Sequence, residues 1–307
     1  MAIYTSTHIG KWHWLKYDGY AILTEQFSSQ IQRAVQTKKL LMGDGGTHVI
    51  SHNGIENTVS LQSAVLLRNS LSDSFKGPNA TDGQLHIVEA PMQSSYLYRD
   101  VFDLLITDFE KIKAFIISFN PYNNRTYATG IGSRNLLTSA SINISNGVTC
   151  SLSYNCLFDQ FVSIQFADVF PSNYDFLART AKNYDCRFYV TDDPTTSYKI
   201  LSADINISVN YSKIYLINQE SEYPLYGPEG YDVSGTLKIP AQNWYAIRDF
   251  FNYTNNRAQI AKRVNFSILI GTRYLRLGQI LVEDKVEFSM SEGLMTATIS
   301  FKGFARL

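Results

Sequence analysis

An internal repeat constrains this chain more than any other feature. Residues Val233 to Phe304 read as a strand, a helix, two strands and a closing hairpin, and Thr81 to Phe158 reads as the same elements in the same order. In the late copy, Ser234-Gly235-Thr236-Leu237-Lys238-Ile239 alternates polar and apolar residues and stops at Pro240, which cannot donate to a sheet ladder. Trp244, Ile247 and Phe251 follow at helical spacing, with Asn243 as the expected N-cap. Val264, Phe266, Ile268 and Ile270 alternate, and Tyr274 to Leu281 is a further apolar-rich run. Ser291-Glu292-Gly293 then separates two more alternating runs, Val286 to Met290 and Met295 to Phe301, which is the pattern of a hairpin.

The early copy offers matching landmarks. Asp82-Gly83-Gln84-Leu85-His86-Ile87 aligns with the strand at Ser234, and Pro91 ends it. Ser94 or Ser95 is placed to cap a helix carrying Leu97, Val101, Leu104 and Leu105 on one face. Ile142-Asn143-Ile144-Ser145 aligns with Val286-Glu287-Phe288-Ser289, and Ser153-Tyr154 with Ser300-Phe301. Asn146-Gly147 is a strong hairpin signal, because a type I′ turn needs positive φ at both central residues. Upstream, Thr47 to Leu67 is the expected counterpart of Tyr198 to Ile217, and the loop Arg68 to Thr81 that of the loop Asn218 to Asp232. Thr24 to Leu41 spaces Phe27, Ile31, Ala34 and Val35 for a helix, and Asn173 to Asn183 reads as a short second one. The domains expected are 1–158 and 159–307.

Composition narrows the function classes. Lys plus Arg and Asp plus Glu number 27 each, so the chain has no formal net charge and lacks the basic excess of a dedicated nucleic-acid binder. Neutrality also gives little protection against self-association, which suits a protein that assembles. The 20 Tyr and 18 Phe favour strands and large interfaces. Met1 to Lys16 does not have the pattern of a signal peptide, and no apolar run approaches the roughly 20 residues of a membrane-spanning helix. Cys150, Cys156 and Cys186 make an odd count without a CxxC, so they read as buried reduced thiols.

No catalytic or cofactor motif stands beside the repeat. Gly43-Asp44-Gly45-Gly46 is not followed by Lys-Ser/Thr, so it is not a phosphate loop. His48 and His52 on a strand would lie about 13 Å apart, too far for one metal ion. Asp103, Asp108 and Glu110 read as the solvated face of a helix. Arg273 and Arg276 read as a small basic group on one strand face, able to touch phosphate or an acidic partner.

The alternating strand, Ser-Glu-Gly turn and alternating strand of Val286 to Phe304, the helix before it, and their repetition resemble the tail-tube fold of bacteriophages. Baseplate hub proteins and the tube proteins of contractile injection systems share that fold. The resemblance implies a mainly β protein of two tandem tail-tube-like β-sandwich or barrel units, each with one flanking α-helix. It implies a non-enzymatic structural protein of the virion tail, without cofactor, metal or membrane anchor. Three chains would form a homotrimeric ring of pseudo-sixfold symmetry, with a hexamer as the fallback. Its partners would be itself and neighbouring tube, hub or sheath proteins, with DNA only as passing cargo. Interface residues are expected in the long loops: Tyr223, Tyr226, Tyr231, Asp44, His48 and Lys76, together with Arg273 and Arg276. The alternative functions are a tandem β-sandwich binding module that stacks sugars on Tyr223, Tyr226 and Tyr231, and an enzyme with an unrecognised site.

Overall fold

The computed structural model describes residues 15–17, 20–40, 47–67, 98–107, 115–120, 125–131, 134–157, 180–190, 193–214, 225–248, 264–271, 273–291 and 293–305. In chain order they form β1 (Leu15–Tyr17), β2 (Tyr20–Leu23), β3 (Gln26–Leu40), β4 (Thr47–Ala64), β5 (Tyr98–Asp100), α1 (Val101–Thr107), β6 (Phe115–Asn120), β7 (Arg125–Ile131), β8 (Arg134–Ile144) and β9 (Val148–Leu157). A 3-10 turn at Asn183–Asp185 leads into β10 (Cys186–Val190), β11 (Asp193–Lys199), β12 (Ser202–Ile214), β13 (Leu225–Pro240), α2 (Ala241–Ile247), β14 (Val264–Ile270), β15 (Arg273–Ser291) and β16 (Leu294–Ala305). The fold is mainly β, as the alternation predicts.

Eleven strands make one antiparallel sheet in the order β11-β10-β14-β15-β16-β13-β12-β8-β9-β4-β3, and among the described residues it does not close into a barrel. The long strand β15 serves two neighbours, pairing with β14 through Arg273 to Ile280 and with β16 through Leu281 to Ser291. The two-residue period is clear in β12, where Ala203, Ile205, Ile207 and Val209 are buried while Asp204, Asn206, Ser208 and Asn210 are exposed. Gly235 on β13 faces Phe301 on β16. A Cβ there would lie 2.1 Å from the Asp204 carbonyl oxygen and 2.8 Å from Phe301 Cζ, so only glycine leaves room for the ring.

The pairings repeat along the chain. β4 lies between β3 and β9 as β13 lies between β12 and β16, and β8 follows β9 as the second half of β15 follows β16. One hydrogen bond anchors the correspondence: Glu25 N donates to Gln62 O at 2.8 Å, and 176 residues on Leu201 N donates to Lys238 O at 2.9 Å. From that anchor Ser29 stands where Ile205 stands, Val59 where Gly235 stands and Leu61 where Leu237 stands. Across the ladder Ser153 coincides with Ser300, and Ala140, Ile142 and Ile144 coincide with Val286, Phe288 and Met290.

Several sequence expectations are corrected. Thr24 to Leu41 is no helix: β3 pairs with β4 along its length, and the backbone bonds of that long-range pairing outweigh a weak 3.6-residue spacing. β3, not Thr47 to Leu67, is the counterpart of β12. β4 holds the place of β13 that was assigned to Asp82–Ile87, a segment outside the described residues. The trailing strand slips by two, because Ile142 matches Phe288 rather than Val286. Asn218 to Asp232 is not wholly a loop: β13 begins at Leu225, and Pro228 is accommodated beside a bulge at Asn210/Tyr211 where a missing N–H is tolerated. Likewise His48 lies on strand β4 and not in a long loop. The helices start at Val101 and Ala241 instead of near Ser95 and Asn243, with Asp100 and Pro240 preceding them. Ile144 pairs with Val148, so Ser145-Asn146-Gly147 is a three-residue connection rather than a two-residue turn. Most of Asn173 to Asn183 lies outside the described residues; Thr180 forms a β-bridge with Leu66.

One hydrophobic cluster runs through both repeats, from Val59 and Leu152 to Ile205, Trp244 and Phe301. No helix among the described residues is long and apolar enough to cross a membrane.

Candidate assembly interface

Four structural features bear on assembly: a buried ionic joint between the repeats, a strand joint, two projecting arms, and an exposed apolar hairpin tip. The ionic joint centres on Arg273, the first residue of β15, which is 3% exposed. Its Nη1 donates to Asp100 Oδ1 at 2.7 Å and Asp103 Oδ1 at 2.8 Å, and its Nη2 donates to Asp100 Oδ2 at 2.9 Å and to the Leu66 carbonyl. The guanidinium also lies 5.1 Å over the Phe102 ring. Asp100 and Asp103 form a capping box at the start of α1: Asp103 N donates to Asp100 Oδ1 at 2.8 Å, and Asp100 N donates to Asp103 Oδ2 at 3.2 Å. Leu66 N donates to Asp100 Oδ2 and Val101 N to Ser63 Oγ. Burial alone would lower the Arg273 pKa, but the two carboxylates more than reverse that and hold it above its ordinary value. The excess negative charge is met by backbone N–H groups at the helix start. Every group in this cluster is engaged by its own chain, which makes it a joint between second-repeat β15 and first-repeat α1.

The joint explains why α1 is buried on all sides, from Val101 to Leu105. α2 instead shows an exposed face at Gln242, Tyr245 and Arg248 and a buried one at Ala241, Trp244 and Ile247.

The strand joint is β8 against β12, from Ile144↔Ala203 to Ser139↔Ser208. The Asn143 amide donates to the Asp204 carboxylate across it. Beyond this sheet each repeat extends a two-stranded arm. Among the described residues, β3 and β4 pair only with each other from Arg33↔Ile55 to Leu40↔Thr47, and β12 and β13 do so from Asn210↔Gly230 to Ile214↔Leu225.

The expected interface residues separate accordingly. His48 and Tyr226 occupy register positions on the two arms, opposite Lys39 and Lys213. Tyr231 is buried at the base of the second arm, which removes it as a sugar-stacking platform. Asp44, Lys76 and Tyr223 lie outside the described residues. Arg273 and Arg276 do not share a face, since a spacing of three puts strand residues on opposite sides; Arg273 is buried and Arg276 half-buried. Asp103 is not a solvated helix residue but 0% exposed. Sequence reading passed over Asp100, whose signal was present as an acidic cap with a second acid three residues on.

The thiols of Cys150 and Cys186 are buried and unbridged, and burial pushes Cys186 up to about 12. No three His, Cys, Asp or Glu among the described residues are grouped to hold a metal. No protein-family model and no curated protein matches this chain.

Proposed function

We propose that this chain is a structural subunit of a phage-type tail, assembled as a ring of the tail tube or baseplate hub around a channel for DNA. The observation that supports this reading most is the head-to-tail repeat. β3-β4-β9-β8 is followed by β12-β13-β16 and the second half of β15 in one sheet, so the outer edge of each repeat is of the kind its neighbour uses. Head-to-tail contacts of this type close into rings when the rotation permits. Among the described residues the sheet is open at both ends, a hazard that closure removes. Three copies would supply six similar units, and the two arms per chain would reach the adjoining ring or tail part. The reading assigns no catalysis, cofactor or metal to the chain.

Sedimentation of the purified chain, with negative-stain imaging, tests this. Rings with a central channel are expected. A monodisperse monomer at high concentration would overturn the reading.

A further inference from the structure

The repeat supplies a template for the contact between copies, and that contact is visible as missing cover. Ile142, Ile144 and Val148 at the β8–β9 end are each 1% exposed, because the second repeat and its lead-in pack there; Val148 N donates to Ala181 O at 3.0 Å. Their register equivalents at the β15–β16 end are Phe288, Met290 and Met295, which are 44%, 75% and 45% exposed. These are large apolar side chains at positions the fold otherwise buries. The helices show the same imbalance: Arg273 of the β14–β15 hairpin lies over α1, whereas α2 leaves Tyr245 half-exposed, stacked on Phe288 at 6.0 Å. Among the described residues no strand runs along the outer edge of Val286 to Ser291 or of β3.

We infer that the β15–β16 end, with the exposed face of α2, is one half of a site completed by β3 and the first repeat of a second copy of this chain. The register follows from the internal joint. Ala203↔Ile144, Asp204↔Asn143, Ile205↔Ile142 and Ile207↔Ala140 translate to Phe27↔Met290, Ser28↔Ser289, Ser29↔Phe288 and Ile31↔Val286 between copies. Main-chain hydrogen bonds along this edge supply affinity, as in strand addition generally. The apolar tip supplies the buried surface, and the register fixes which copy binds which edge. The inference deepens the ring reading and depends on the repeat, not on what the ring conveys.

A disulfide test in the full chain reads the register directly. Ser28 and Ser289 are both exposed and stand where Asp204 and Asn143 meet across the internal joint. The double variant Ser28→Cys/Ser289→Cys, oxidised mildly, should give covalent dimers and closed oligomers on a non-reducing gel, while each single variant should not give closed oligomers. A second variant, Phe288→Asp/Met290→Asp, changes only exposed side chains. It should keep the parent's circular dichroism yet sediment as a monomer under conditions where the parent assembles. If the parent forms rings but the double cysteine variant yields no chain-to-chain disulfide and the aspartates leave assembly unchanged, this joint is wrong while the ring reading stands. A parent that stays monomeric overturns both.

Discussion

Replacing Arg273 by methionine tests the ionic joint most directly. The substitution keeps the length of the stem and removes the guanidinium, leaving the two buried carboxylates of Asp100 and Asp103 facing each other without their cation. Removing one partner of a buried ion pair typically costs about 3–5 kcal/mol, because the remaining charge is stranded away from water. Here one cation serves two acids that are each 1% exposed or less, so the upper part of that range applies. The Leu66 carbonyl loses its Arg273 donor as well, while the capping box itself stays intact. Such a loss is a large fraction of the roughly 5–15 kcal/mol that holds an ordinary domain folded.

The compensating variant is Arg273→Met combined with Asp100→Asn and Asp103→Asn. Asparagine caps a helix about as well as aspartate, and neutral amides do not strand charge. The triple variant should therefore recover to within about 2 kcal/mol of the parent, a strong positive coupling in a mutant cycle. Urea unfolding followed by circular dichroism and tryptophan fluorescence gives each value. A loss under about 1 kcal/mol for the single variant, or a triple variant as weak as the sum of its parts, would refute the assignment of Arg273 as the cation the cluster depends on.

Gly235→Val should destabilise by at least about 1–3 kcal/mol in the same urea assay, since its Cβ would overlap the Asp204 carbonyl oxygen and the Phe301 ring; a neutral change would show that the β12–β13 spacing is wrong. Alkaline pH should weaken the fold: burial raises the Cys186 thiol from 9.0 to about 12, and Cys150 and Tyr211 also titrate high. The Cys186 contribution is full below the unfolded thiol pKa and falls by about 1.4 kcal/mol per pH unit as pH climbs from about 9 towards 12, so unfolding curves at pH 8.5 and 10.5 should differ, and Cys186→Ala should flatten the slope. Removing residues 213–226 shortens the β12–β13 arm beyond its last shared strand. Rings should persist and their stacking should be lost in sedimentation and imaging, whereas normal stacking would end the assignment of that arm to ring-to-ring contacts.

The sequence made the repeat and the β class legible because strands such as β12 bury alternate residues from Ala203 to Val209. It misplaced the leading strand of the first copy because Gly-x-Leu-x-Ile is a pattern that any half-buried strand can satisfy. Hydrogen-bond partners identify Leu61 as the match for Leu237, since the two are paired alike. The helix expected at Thr24 to Leu41 failed for the same reason, since long-range pairing carries no local signature. The ionic joint was illegible as a whole: Arg273 stands 173 and 170 residues from its two acids, and nothing near it in sequence announces burial. A charged residue in an apolar strand reads as exposed unless its partner is known.

The joint is also where the two repeats differ most. α1 begins after Asp100 and has Asp103 at its third position, while α2 begins after Pro240 and has Asn243 there. The first residue of β7, Arg125, opens its strand opposite Asn120 as Arg273 opens β15 opposite Ile270. An arginine thus recurs at the hairpin, but the paired acids do not recur at the helix. Strand pairing and apolar cover are what the proposed copy-to-copy contact would share with the internal joint. The carboxylate pair is reserved for the contact that the chain makes with itself. A buried ion pair is costly to desolvate and tolerates little misalignment, so it is best formed where covalent connection already sets the geometry. Under the proposed assembly, a contact between separate chains would avoid that cost by using the exposed Phe288, Met290 and Met295 and a strand edge. On that proposal, the acids at 100 and 103 and their absence at 240 and 243 would separate the permanent joint from one made during assembly.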